Sequence, residues 1–233
     1  VSIFDKIKNK LYLARDFVGV KPLYYIYDDN KLVFASEIKT LLKSNNIKKD
    51  LNKSLINEFL YYKYISGNET LFKNIFQVDP GKVFCINLNN KKIKIERFSY
   101  YEFKEIERKH DINEAVKETE FLLNKSVALQ LQSDASLGIQ LSGGIDSTLL
   151  TEIANQHTKI KQLYCSTFKN YQKNELKYAK IVSKKININL NKVELNKKFF
   201  FKNIDKSIYH LDEPLNHPHS LAILQISQKA KKK

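Results

Sequence analysis

A chain of 233 residues has room for one large domain or two smaller ones. It is 42% hydrophobic and 28% charged, no apolar run approaches the roughly 18 residues of a membrane span, and no signal-peptide pattern opens it. The net charge of +15 comes from lysines spread from Lys6 to Lys233, clustered only at Lys229–Lys233. Charge distributed in this way governs solubility more than it marks a nucleic-acid site.

The first hundred residues carry β signals. Lys10–Ala14, Leu23–Tyr27 and Lys31–Ala35 are short apolar or aromatic runs, with Asp28-Asp29-Asn30 as a hairpin turn between the last two. Glu37–Leu42 is predicted as a short helix and Leu55–Tyr64 as another, with Leu55, Phe59, Leu60 and Tyr64 near helical spacing. Asp79-Pro80-Gly81 is a turn, followed by a closing hairpin of Lys82–Asn87 and Lys92–Phe98. Arg15, Asp16 and Glu37 are read as structural, the first two bridging a strand end to the Gly19–Pro22 turn.

A polar, charged stretch, 101–111, is predicted as a linker. Beyond it helices and strands alternate. Ile112, Val116, Leu122, Leu123, Val127 and Leu131 make an apolar face along a long helix. Strand 137–141, helix 146–157, strand 162–168, helix 174–186, strand 188–194, helix 197–210 and a final helix from Ser220 follow. Strands separated by helices of this length predict a parallel, doubly wound sheet, whose ligands bind outside the carboxyl ends of the strands.

One turn at such an end stands out: Leu141-Ser142-Gly143-Gly144-Ile145-Asp146-Ser147-Thr148. Two glycines let the backbone turn sharply and approach a ligand without a Cβ in the way. Ser142, Ser147 and Thr148 add hydroxyl donors, and the following helix aims its free N–H groups at the same spot. The combination suits a pyrophosphate. Over fewer residues, an ordinary Gly-Gly turn with Asp146 and Ser147 capping a helix would look the same.

These residues resemble the PP-loop (SGGxDS) of ATP pyrophosphatases. Upstream, Ser133-Asp134-Ala135-Ser136-Leu137-Gly138-Ile139-Gln140 is similar to the lead-in of glutamine-dependent asparagine synthetases. Arg15-Asp16-Phe17-Val18-Gly19-Val20-Lys21-Pro22-Leu23-Tyr24-Tyr25 and Phe34-Ala35-Ser36-Glu37-Ile38-Lys39 resemble the end of the glutaminase domain that precedes it there. Asp212-Glu213-Pro214 adds a third matching element.

The resemblance implies an α/β and α+β chain of two partial domains. Residues 1–100 would be the C-terminal portion of an Ntn-type glutaminase β-sandwich with helices. Residues 112–233 would be the start of a doubly wound parallel α/β PP-loop ATP pyrophosphatase domain. It further implies ATP bound through Ser142, Gly143, Gly144, Asp146 and Ser147, with Gln140 and Ser166 where the family's backbone touches adenosine. Asp146 would hold a magnesium ion (Mg2+). The implied reaction is ATP-dependent amidation of L-aspartate through a β-aspartyl-AMP intermediate, with ammonia from L-glutamine. AMP and pyrophosphate leave, in a cytoplasmic, homodimeric parent enzyme.

The family's catalytic glutaminase nucleophile would precede residue 1. There is no methionine, Val1–Asp5 reads as the middle of a strand, and Ala230–Lys233 reads as a helix still running. The chain is therefore expected to be a fragment, inactive alone. Cys85 and Cys165 lie far apart, without metal-ligand spacing or the setting of a disulfide framework, which fits a reducing compartment. His217-Pro218-His219 lacks a third ligand for a metal. A related amidotransferase acting on another carboxylate, a PP-loop RNA-modifying enzyme and a non-enzymatic remnant remain open alternatives.

Overall fold

The computed structural model describes residues 1–28, 30–44, 47–102, 111–168 and 175–231. The chain divides into two compact units: Val1–Ile106 with Ile208–His217, and Glu107–Ser207 with Pro218–Lys233.

The first unit contains β1 (Ser2–Asp5), β2 (Lys10–Ala14), β3 (Tyr24–Tyr27), β4 (Leu32–Ala35), the short helix α1 (Ile38–Leu41), α2 (Ile56–Tyr62), β5 (Phe76–Gln77), β6 (Lys82–Asn87) and β7 (Ile95–Ser99). Two antiparallel sheets result, ordered β1-β2-β6-β7 and β4-β3-β5. Alternation along each strand sends successive side chains to opposite faces. Leu13, Phe84 and Ile86 of the first sheet share one core with Tyr25 of the second and with Leu23 and Val78 beside it. The Tyr25 and Phe84 rings meet edge to face, centroids 5.2 Å apart. The next residue back, Tyr24, faces the other way and packs with Ile38 and Leu41 of α1. Two adjacent tyrosines thus serve two different cores.

The structure departs from the expected elements of this unit at α2 and at β5. The helix expected from Leu55 to Tyr64 opens as a 3-10 turn, Lys53–Leu55, and stops at Lys63, which takes a left-handed conformation (φ 68°). Of the four residues noted near helical spacing, Leu55 and Phe59 pack against Leu71, whereas Leu60 and Tyr64 are exposed. A helix of seven residues, about two turns, is too short to present a longer stripe. Strand β5, two residues long, carries no periodicity by which to be recognised, yet it pairs with β3. The closing hairpin is as expected, with β7 shifted a few residues toward Ser99.

The second unit contains α3 (Ile112–Gln130), β8 (Gly138–Gln140), α4 (Ile145–His157), β9 (Gln162–Phe168), α5 (Leu176–Lys185), β10 (Leu190–Leu195), α6 (Lys197–Leu211), whose last turn belongs to the first unit, and α7 (His219–Ala230). The three strands are parallel in the order β10-β9-β8. Helices cover both faces. Leu163 and Cys165 of β9 lie with Ala154 of α4 and Ala179 and Val182 of α5, and Tyr164 lies with Val193 of β10 and Ile226 of α7.

Helix α3 forms as predicted, but its apolar face is only partly used. Val127 and Leu131 pack on the core, whereas Ile112, Val116 and Leu122 are exposed. Of the predicted linker 101–111, residues 103–110 lie outside the described residues. Among the described residues no helix is long and apolar enough to cross a membrane.

Candidate functional site

Strand β8 delivers the chain to the carboxyl end of the parallel sheet, where the Leu141 N–H donates to the Tyr164 carbonyl at 2.8 Å. The loop then turns at Gly143, with φ +99°. A Cβ built there would sit 2.4 Å from the Glu175 carbonyl oxygen and 3.1 Å from the Ala179 nitrogen. Only glycine meets both demands, the positive φ and the close approach to the first turn of α5.

The loop is braced by its own hydroxyls. The Ser142 and Ser147 hydroxyl oxygens are 2.8 Å apart, the Gly144 N–H donates to Ser142 Oγ at 3.2 Å, and Ser147 Oγ donates to the Gly144 carbonyl at 3.1 Å. Thr151 Oγ1 donates to the Ser147 carbonyl at 2.6 Å and locks the next turn. Thr148 is the first residue of α4 whose N–H reaches a carbonyl behind it, that of Gly144. The N–H groups of Ile145, Asp146 and Ser147 therefore head the helix, where the dipole favours an anion. Asp146 is exposed in that first turn.

The structure brings Ser142, Gly143, Gly144 and Ser147 into one bonded turn. Gln140 is exposed on β8 and pairs in register with Tyr164. Ser166 lies two residues beyond Tyr164 on β9, next to Cys165, whose thiol is 3.9 Å from the Ser142 carbonyl. Burial, then the charge of Glu175, raises the Cys165 pKa, so this thiol stays protonated.

Two residues at this end of the sheet carried no signal in the sequence. Glu175 shapes the loop through its carbonyl. Thr167 is 3% exposed, and among the described residues its hydroxyl has no hydrogen-bond partner.

The other residues singled out have structural work. Arg15 donates to the carbonyls of Lys21, Val78 and Gly19 at 2.8–3.1 Å, and the Asp16 carboxylate accepts the N–H groups of Val20 and Lys21. Those bonds hold the Asp16 pKa below the usual carboxylate range. Glu37 pairs with Lys39 at 3.0 Å. Both cysteines are buried and free. No group of three or more potential metal ligands occurs among the described residues.

Asp212-Glu213-Pro214 lies in the first unit. Asp212 accepts the N–H groups of Ile38 at 2.8 Å and Lys39 at 3.2 Å, and pairs with Lys39 Nζ at 3.3 Å. Beside it, burial and then the Asp212 charge raise the Glu213 pKa. Burial, with the nearby Glu213 and Asp212, pushes Tyr24 up to about 12.

A carboxyl whose folded-state pKa is raised favours folding while protonated. That contribution is complete below the unfolded-state pKa and is lost as pH rises through the folded one. Glu213→Gln is accordingly expected to melt above the parent at neutral pH, with the gap closing as pH falls toward the ordinary glutamate value of 4.5. Melting curves at the two pH values check this. A gap of equal size at both would assign the effect to something other than Glu213 ionisation.

Residues 1–101 match the family model described as glutamine amidotransferase domain, and residues 118–233 match the one described as asparagine synthase. A Methanocaldococcus jannaschii protein named putative asparagine synthetase (glutamine-hydrolyzing) 2 is 28% identical over 233 residues, covering 99% of this chain and 45% of that protein. Asparagine synthetase (glutamine-hydrolyzing) 1 of Bacillus subtilis is 28% identical over 231 residues, 99% of this chain and 36% of its own length. A second Bacillus subtilis protein, asparagine synthetase (glutamine-hydrolyzing) 2, is 32% identical over 202 residues, 81% of this chain and 26% of its own length. The chain thus spans less than half the length of these relatives.

By these family models, a glutamine amidotransferase part precedes an asparagine synthase part in the chain. The chain belongs to the asparagine synthase family.

Proposed function

We propose that the turn from Ser142 to Ser147 binds the pyrophosphate of ATP, in the first part of an ATP pyrophosphatase domain spanning 112–233. Its three parallel strands are then the start of a doubly wound sheet. Residues 1–100 are the C-terminal portion of a glutaminase sandwich, joined by 101–111. The observation that carries this reading is Gly143. Its positive φ and its approach to Glu175 hold the loop tightly against α5 and leave the N–H groups heading α4 open toward the strand ends.

The residues fit the ligand. Backbone donors and two serine hydroxyls match phosphate oxygens, and Gln140 and Ser166 border the neighbouring strand end. Asp146 is the one carboxylate in the turn, enough for a magnesium ion that takes its other ligands from phosphates and water. The ion supplies charge neutralisation at the leaving pyrophosphate.

In the whole protein this site serves amidation of aspartate to asparagine with ammonia from glutamine. The chain alone is expected to hydrolyse no glutamine. Cys85 is buried within β6, and Cys165 is buried and held protonated, so neither can act as the nucleophile.

The test is titration of the purified chain with ATP and magnesium by calorimetry. Saturable binding is expected, weakened in Ser147→Ala by about tenfold or more, since a hydrogen bond to a charged group is worth about 1.5–3 kcal/mol. Absence of saturable binding, or unchanged affinity in Ser147→Ala, overturns the reading.

A further inference from the structure

Within the first unit, a cleft of about 450 Å³ opens beside α1. Its walls are apolar: Leu42, Leu71 and Phe72 on one side, Ile208 and Tyr209 on the other. The volume lies in the range of small-molecule sites and far exceeds the voids that close packing leaves.

The far wall is held in place. Asp212, which follows Ile208 and Tyr209 by a few residues, binds both backbone N–H groups at the start of α1 and the Lys39 ammonium. The cleft is therefore a constructed feature of the unit.

The charges around it are unequal. Lys39 is occupied by Glu37 and Asp212, a cluster with one net negative charge. Lys43 and Lys49 also line the cleft; both are exposed and have no ion pair among the described residues. Glu213 is the other carboxyl in the lining, and burial favours its neutral form. The cleft thus combines an apolar interior with two uncommitted ammonium groups.

We propose that this cleft binds a small amphipathic carboxylate, its apolar body between Leu71, Phe72 and Tyr209 and its charged end against Lys43 and Lys49. A wholly polar anion would leave the apolar walls wet, and a cation would face two ammonium groups. The inference is independent of ATP and of the 142–147 turn.

The experiment uses the 233-residue chain and octanoate as probe, followed by calorimetry, with 1-octanol as the uncharged isostere. Octanoate is expected to bind saturably at one site per chain, and 1-octanol about tenfold more weakly or worse. The double variant Lys43→Gln, Lys49→Gln is expected to keep the parent melting temperature and lose about tenfold in octanoate affinity. Ser147→Ala is expected to bind octanoate as the parent does. No saturable octanoate binding overturns the proposal. So does octanol binding as tightly as octanoate, which would mark a merely sticky surface, and so does undiminished binding by the double lysine variant.

Discussion

Gly143→Ala is expected to destabilise the second unit by about 3 kcal/mol and to abolish nucleotide binding at the turn. Backbone strain supplies part of this. At φ +99° an alanine sits where L residues rarely go, at a cost of about 1–3 kcal/mol. The remainder is steric. The new Cβ would fall 2.4 Å from the Glu175 carbonyl oxygen, and because that atom is backbone, no side-chain rotation relieves the clash. Either the first turn of α5 or the whole Ser142–Ser147 turn must move. Moving the turn breaks the Ser142–Ser147 hydroxyl contact of 2.8 Å and re-aims the N–H groups heading α4. The melting temperature should fall by on the order of 10 °C. Gly144 provides the internal control. A Cβ there meets nothing closer than Ser142 Oγ at 3.4 Å, and its φ of −73° is ordinary. Gly144→Ala is expected to stay within about 0.5 kcal/mol of the parent. Equal stability of the two variants would show that the approach to Glu175 does not shape the loop.

The contrast between those glycines marks how far the sequence could be read. That a glycine pair turns the chain between strand and helix is a local property, visible in eight residues. Which glycine is indispensable depends on Glu175, more than thirty residues away and beyond an intervening strand. The same division runs through the fold. Strands β2, β6 and β9 begin and end where their apolar runs begin and end, because each run is bounded by turn-forming or polar residues. Strand β5 has two residues and no period, and it exists because β3 offers an edge to it. Helix α3 has the expected length, while the exposure of Ile112 and Val116 follows from what packs beside it, which periodicity does not encode. Among the site residues, Ser142, Gly143, Gly144, Asp146 and Ser147 are legible together because one turn contains them. Thr167 has no such signal: a buried threonine in a strand reads as β propensity, and only its surroundings reveal that its hydroxyl lacks a partner.

Asp212 is the clearest long-range case, and its replacement has the second large expected effect: Asp212→Ala should cost about 3 kcal/mol in the first unit. In the sequence it stands only as part of the Asp212-Glu213-Pro214 element of the family resemblance. The structure makes it the end of α6, with φ +59°, and at the same time an anchor for α1. The two carboxylate oxygens accept the Ile38 and Lys39 N–H groups, which α1 leaves without any other side-chain cap. Capping of this kind contributes about 1 kcal/mol, and a charge-assisted bond to a nearly buried carboxylate contributes more. The side chain is 8% exposed, so alanine would leave two N–H groups without their acceptor in a poorly solvated place, while the Lys39 ammonium would keep only Glu37. Asp212→Asn separates the contributions. Asparagine tolerates the left-handed backbone as aspartate does and retains one acceptor, so its loss should be smaller than that of alanine. Lys39→Ala should cost less again, because it leaves the two backbone bonds to Asp212 intact. Thermal unfolding of the three variants should rank Asp212→Ala, Asp212→Asn and Lys39→Ala in decreasing order of damage. If Lys39→Ala proved as harmful as Asp212→Ala, the ion pair, rather than the helix cap, would be what holds residues 208–214 against α1.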